Sequence, residues 1–346
     1  MPPNTPPTDP TPVPGTPVPV VRALLAGVMM GLANLVPGIS GGTMLVACGV
    51  YRRFIDAVSD VTRLRFSRSA VLLLGVIVLG AALSVGGLAR VIHWSLVEHR
   101  WVMYSLFIGL TLGGAPILWK LAHPVRRDVV LGAVGGAAVM AGLVVLQEAG
   151  TGQAALGGPL GLFVGGAAAA GAMILPGVSG AFLLLLLGQY EPIIAAIKDT
   201  ISALTGGDVS GVLAQMSVVI PVGLGVLAGI AGVANLLKWV MHRYERPTLG
   251  VLLGLLIAAP AGLYPFRAGV PPEVGDTIKG TLVTEENLAE MTDPSGAKDW
   301  SQRAYRPSVG QAGGSVLLAL AGFGATMLIS RLGRDRAEPE RSGPAA

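Results

Sequence analysis

The chain has 346 residues, 52% hydrophobic and 13% charged, with a mean hydropathy of +0.67. A soluble globular chain carries about 25% charged residues, so this composition excludes an ordinary water-soluble domain and fits a chain built for lipid. The formal charge of +4 is modest, and one cysteine, Cys48, excludes an intrachain disulfide and a cysteine metal cluster; in its apolar run it reads as a small packing residue.

Residues 1–19 are Pro/Thr-rich, without Lys or Arg, and read as a disordered tail rather than a signal peptide. An apolar arm runs from about Val20 to Val36, stops at Pro37-Gly38, and a second arm runs from Thr43 to the Arg52-Arg53 pair. Each arm is short, about 24 Å as helix against a hydrocarbon core of about 30 Å, which predicts a re-entrant hairpin rather than two full spans. Spans follow at about 70–89, 101–119 and 129–147. The pattern then restarts, with arms at about 157–175 and 182–197 and spans at about 211–237, 248–264 and 309–331.

The restart is a duplication. Pro37-Gly38-Ile39-Ser40-Gly41 returns as Pro176-Gly177-Val178-Ser179-Gly180, and the same offset of 139 pairs Gly49 with Gly188, Tyr51 with Tyr190, Ala57 with Ala196 and Asp60 with Asp199. Each half holds one broken hairpin and three crossings, an odd number, so the two copies are expected upside down relative to each other. The fold class expected is therefore an all-α polytopic membrane protein of two inverted repeats, 20–150 and 151–332, with an extracytoplasmic loop at about 265–308 and a cytoplasmic tail at 333–346. Charge agrees. Arg52, Arg53, Arg63, Arg65, Arg68, Lys120, Arg126, Arg127, Lys238, Arg243, Arg246, Arg331, Arg334, Arg336 and Arg341 fall on one side, against Arg90, Arg100 and Lys198 in short loops of the other. That bias places both termini in the cytoplasm.

The repeated phrase carries the chemistry. Proline ends an arm, glycine permits φ > 0, and backbone N–H groups then point together into a nest. A helix N-terminus adds unpaired donors and partial positive charge, a site for a phosphate-like or carboxylate group. The candidate phosphate-binding residues are Pro37, Gly38, Ser40, Gly41, Gly42, Thr43, Pro176, Gly177, Ser179 and Gly180. The plain packing reading is a kink whose serine bonds back to its own helix; a matched pair at hairpin tips weighs against it. Accessory candidates are Asn34, Arg52, Arg53, Gln189, Tyr190 and Glu191. Each has an ordinary alternative: Arg52 and Arg53 as positive-inside anchors, Tyr51 and Tyr190 as an aromatic belt, Asp60 and Asp199 as turn residues, and Arg90 and His93 as snorkelling ends.

Asn34-Leu35-Val36-Pro37-Gly38-Ile39-Ser40-Gly41-Gly42-Thr43 with Gly49-Val50-Tyr51 resembles the first signature of a bacterial membrane family once classed only as a domain of unknown function. Leu175-Pro176-Gly177-Val178-Ser179-Gly180 with Leu187-Gly188-Gln189-Tyr190 resembles its second. Members are regarded as polyprenyl-phosphate (undecaprenyl phosphate) transporters of the PopT type, which return the lipid carrier of cell-envelope glycan synthesis to the cytoplasmic leaflet. The resemblance covers about 20–331. It implies a multi-pass protein of the bacterial cytoplasmic membrane, a polyprenyl-phosphate lipid as partner, and no cofactor or metal. Ala181 stands where a small hydroxyl residue is expected, so a symmetric role for Thr43 and position 181 is not supported.

Two rival classes stand beside this one. A carrier or channel for a small soluble anion would use the same tips. An undecaprenyl-pyrophosphate phosphatase-like enzyme would need an arginine after the serine and a glutamate cluster; here Gly41 and Gly180 follow the serines, and Glu148 and Glu191 stand alone. No P-loop lysine follows either glycine cluster, and nothing points to nucleic acid.

Overall fold

The computed structural model describes residues 20–36, 38–148, 157–278, 281–292, 300 and 302–332; Pro37 and both expected tails lie outside them. The first half comprises α1 (Val20–Asn34), α2 (Gly41–Ala47), α3 (Tyr51–Thr62), α4 (Arg68–Glu98), α5 (Arg100–Leu112), α6 (Ala115–Leu121) and α7 (Arg127–Glu148). The second comprises α8 (Gly158–Ile174), α9 (Gly180–Leu186), α10 (Tyr190–Gly206), α11 (Val209–Arg243) and α12 (Glu245–Ala258). After α12 come a two-ribbon loop carrying α13 (Leu288–Met291), and then α14 (Val309–Leu332). Among the described residues, five helices are long and apolar enough to cross a membrane, or six if the bent pair α9–α10 is one span.

Three expectations need correction. The second arms are not single helices: α2 breaks from α3, and α9 from α10 with a bend of 115°. Gly49 and Gly188 cause both breaks, with φ of +68° and +66°, left-handed conformations that close a helix and that glycine adopts without penalty. The span expected at 248–264 is a 14-residue helix, α12, continued by a 3-10 turn over Ala259–Gly262 that contains Pro260. Asp60 and Asp199 sit inside α3 and α10 rather than in turns.

Lipid tails give apolar helices no hydrophobic reason to associate, so close backbone approach through small residues must supply the contact. A Cβ at Gly27 would fall 2.2 Å from the Ile77 carbonyl oxygen, and one at Gly31 2.7 Å from that of Ala81, so α1 and α4 run side by side in the same direction. The second copy repeats this between α8 and α11, through Gly225 at Phe163 and Gly229 at Ala167. The remaining pairs are exchanged between halves. α12 lies along α7 through Gly250 at Val129 and Gly254 at Ala133, and α14 along α5 through Gly109 at Ala319 and Gly113 at Thr326. Caps secure the long helices: Ser67 Oγ accepts from the Ala70 N–H at 3.1 Å, and Asp208 Oδ1 from the Gly211 N–H at 3.0 Å.

Leu249, Leu252, Leu253 and Leu256 of α12 are buried in one cluster with Phe54, Ile55 and Val58 of α3. The core therefore joins the first hairpin to the second half. Large apolar side chains such as Leu79 and Leu83 of α4 or Leu224 and Leu227 of α11 face outward, a surface suited to hydrocarbon and not to water.

Candidate functional site

The duplicated phrases adopt one backbone. Gly38 and Gly177 have φ of +91° and +87°. Ser40 and Ser179 are the N-caps of α2 and α9 at φ, ψ of −96°, 124° and −92°, 130°. Neither serine caps its own helix through its side chain, so the plain packing reading does not describe them.

The two tips pack on each other. α8 ends at Ile174, leaving carbonyls with no partner in the helix. The first copy satisfies them: the Ser40 hydroxyl donates to the Leu175 carbonyl at 2.8 Å, and the buried Tyr51 hydroxyl donates to the Ile174 carbonyl at 3.1 Å. In return the Gly177 N–H donates to Thr43 Oγ1 at 3.0 Å. A Cβ at Gly42 would stand 2.7 Å from the Ile174 oxygen, and one at Gly177 2.6 Å from the Leu255 oxygen, so both approaches need glycine. Tyr51 is thus a buried contact residue rather than part of an aromatic belt.

The reciprocal set is not made. By the offset of 139, Ser179 would reach Val36, and Tyr190 would reach Leu35. Among the described residues the hydroxyl of Ser179, a buried residue, has no hydrogen-bond partner; Tyr190 is half-buried, and Phe182, which the offset pairs with Thr43, has no hydroxyl. Every residue of α2 is buried, whereas in α9 only Gly180 and Phe182 are. The site is two equivalent tips with one side locked.

The accessory candidates scatter. Asn34 is exposed, but its amide lies over Gly41, where a Cβ would meet Asn34 Oδ1 at 3.0 Å. Arg52 pairs with Glu245 and Arg53 is exposed. Gln189 is buried with its Nε2 donating to the Leu187 carbonyl at 3.4 Å, and Glu191 is exposed. The structure also joins residues that the sequence reading left apart. Lys238 of α11 bridges Asp56 at 3.2 Å and Asp60 at 3.1 Å of α3, beside Asn235, whose Oδ1 accepts from Ser59 Oγ at 2.7 Å and Arg63 Nε at 2.5 Å. The available signal was the i, i+4 spacing of Asp56 and Asp60 on one helix face. Among the described residues no group of His, Cys, Asp and Glu could hold a metal ion.

This geometry brings the hydroxyls of Ser40, Thr43 and Tyr51 and the Gly177 N–H together, buried, where the N-termini of α2 and α9 meet. The chain is 27% identical over 277 residues, 77% of its own length and 84% of the other's, to a polyprenyl-phosphate transporter of Vibrio cholerae. It is 28% identical over 259 residues, 72% of its length and 87% of the other's, to a polyprenyl-phosphate transporter of Staphylococcus aureus. No solved structure matches it. Residues 30–271, which hold both tips, match the family described as VCA0040-like, undecaprenyl phosphate translocase-like, and the chain belongs to that family.

Proposed function

We propose that the protein carries undecaprenyl phosphate across the bacterial cytoplasmic membrane, from the outer to the cytoplasmic leaflet, with the phosphate held at the two tips. The observation that carries this reading is the half-made exchange of hydrogen bonds between them. Ser40, Thr43 and Tyr51 hold the second tip, while among the described residues the equivalent bonds from Ser179 and Tyr190 to the first are not made.

Helix directions support an inverted repeat. α7 reverses α5–α6 and so runs with α4; α12 runs with α7; α11 turns into α12 at Tyr244 and so runs against α4. In that arrangement, making the second set of bonds while breaking the first turns the open side of the site over. A polyprenyl tail, worth about 0.8 kcal/mol per buried CH₂, stays in lipid throughout. Only the phosphate moves. Desolvating it costs several kcal/mol, and charge-assisted hydrogen bonds of about 1.5–3 kcal/mol each from the tip donors offset that cost.

A small soluble anion is the competing cargo, since the same donors would serve it. Proteoliposomes decide between them. Headgroup movement of undecaprenyl phosphate, without flux of free phosphate or sulfate, is the expected result; anion flux without lipid movement would replace this reading with its rival.

A further inference from the structure

A polar seam outside the tips joins the two halves. Lys238 of α11 bridges Asp56 at 3.2 Å and Asp60 at 3.1 Å of α3. One turn earlier, Asn235 accepts from Ser59 Oγ at 2.7 Å and Arg63 Nε at 2.5 Å, and donates to Thr62 Oγ1 at 2.9 Å. The seam rims an apolar cluster in which Phe54, Ile55 and Val58 of α3 meet Ala234 and Leu237 of α11. α3 follows the first tip through the break at Gly49, and α11 packs on α8, which leads into the second tip. The seam therefore ties the helix that leaves one tip to the helix that supports the other.

Glycine contacts set the register in which the other half would repeat it. A Cβ at Gly80 would run into the Leu24 oxygen and the Val28 nitrogen, and one at Gly225 into the Phe163 oxygen and the Ala167 nitrogen. Leu24 and Phe163, like Val28 and Ala167, are 139 apart, so α4 and α11 correspond at an offset of 145. By that offset Asn235 answers to Arg90 and Lys238 to His93, while the offset of 139 makes Asp60 answer to Asp199 on α10. Yet α10 does not pack along α4 as α3 packs along α11. Asp199 and Arg90 are exposed, and among the described residues neither is in an ion pair. Arg90 stands about 33 Å along α4 from Arg68, at 1.5 Å per residue, which is about one hydrocarbon thickness from the end where Arg63 lies.

A permanent anchor would need no counterpart, but the opposite face keeps a carboxylate and a guanidinium at the seam's own positions, held apart. Partly exposed ion pairs are individually weak, which suits bonds that break and re-form in each cycle. Rocking of inverted repeats exchanges a contact at one face for its equivalent at the other. We infer that Lys238, Asp56, Asp60, Asn235 and Arg63 form a latch that closes the face on which they lie, and that Asp199 and Arg90 form its counterpart, which closes the opposite face once the first latch opens. This rests on the transport reading above and its inverted repeat. It gives side chains away from the tips control over which face is open.

The test is cross-linking of α10 to α4 in proteoliposomes holding the full-length protein. Cys48→Ala removes the chain's one cysteine, and Lys198→Cys/Ala89→Cys, the counterparts of Ser59 and Ala234, then report the approach of the two helices to a short bismaleimide. Lys238→Gln is expected to raise the cross-linked fraction about threefold, and Lys238→Gln/Asn235→Ala about tenfold, as the first latch weakens. Adding Asp199→Asn or Arg90→Gln should abolish the rise. No rise in either variant would overturn the latch, and a rise that persists with Asp199→Asn and with Arg90→Gln would overturn its counterpart. Should the double variant not fold, Lys238→Gln alone decides. A second measurement bridges Asp56→Cys/Lys238→Cys with a reducible linker, on the Cys48→Ala background. Headgroup movement of undecaprenyl phosphate should stop and return on reduction; movement at the unbridged rate would overturn the latch. Movement by the unmodified protein is scored separately: its absence removes the transport reading, while the cross-linking then still decides the latch.

Discussion

Gly177→Ala tests how tightly the second tip is set. Gly177 sits at φ +87°, where a side chain costs about 1–3 kcal/mol. A Cβ there would also fall 2.6 Å from the Leu255 oxygen, 2.8 Å from the Leu255 carbonyl carbon and 3.0 Å from Leu256 Cα. All three are backbone atoms of α12, so no rotamer change relieves the overlap, and overpacking of this kind adds about 1–3 kcal/mol. Gly49→Ala is the matched control: φ is +68° and nothing stands within 4 Å of its Cβ, so it carries the backbone strain alone. The two variants, heated in detergent and scored by the monodisperse fraction on size exclusion, should separate, with Gly177→Ala losing clearly more. Equal losses would show that α12 yields to the added methyl, and the argument that this tip is rigidly seated would fail.

Other expectations follow from individual contacts. Tyr51→Phe removes the donor to the Ile174 carbonyl, about 1–3 kcal/mol for a buried group left unpaired. Cys48, the chain's one cysteine and buried here, should then react with a maleimide about tenfold faster. Lys238→Ala leaves Asp56 and Asp60 without their partner and should cost about 1 kcal/mol or less at this partly exposed position, read as a lower melting temperature that Lys238→Arg restores in part. Hydrogen bonds from Ser210 and Gly211 hold the Asp208 carboxyl below its usual range. Its cap therefore stabilises α11 above about pH 4 and is lost as the pH falls through the lowered value. Amide protection over residues 209–212, corrected for intrinsic rates, should drop between pH 5 and pH 2 in the native protein and stay flat in Asp208→Asn.

The broad plan was legible because duplication and hydropathy are written at the scale of whole helices. The offset that pairs Ser40 with Ser179 also pairs their φ and ψ, and Gly49 with Gly188 in their left-handed breaks. What sequence could not give was pairing between distant segments. Nothing in Tyr51 distinguishes an interfacial tyrosine from one buried against the Ile174 carbonyl, and only the packed halves show which. The exchange of α7 and α14 between halves likewise depends on helices far apart in the chain. The break between α9 and α10 was hidden by the continuous leucine run before Gly188, whose hydropathy does not mark a bend.

The most direct measurement is movement of the undecaprenyl phosphate headgroup in proteoliposomes, comparing the unmodified protein with Ser40→Ala, Ser179→Ala and the double variant. The account predicts that each single substitution slows movement and the double substitution abolishes it, because each serine serves one half of the exchange. Movement at the unmodified rate in the double variant would contradict it and place the phosphate path away from the tips.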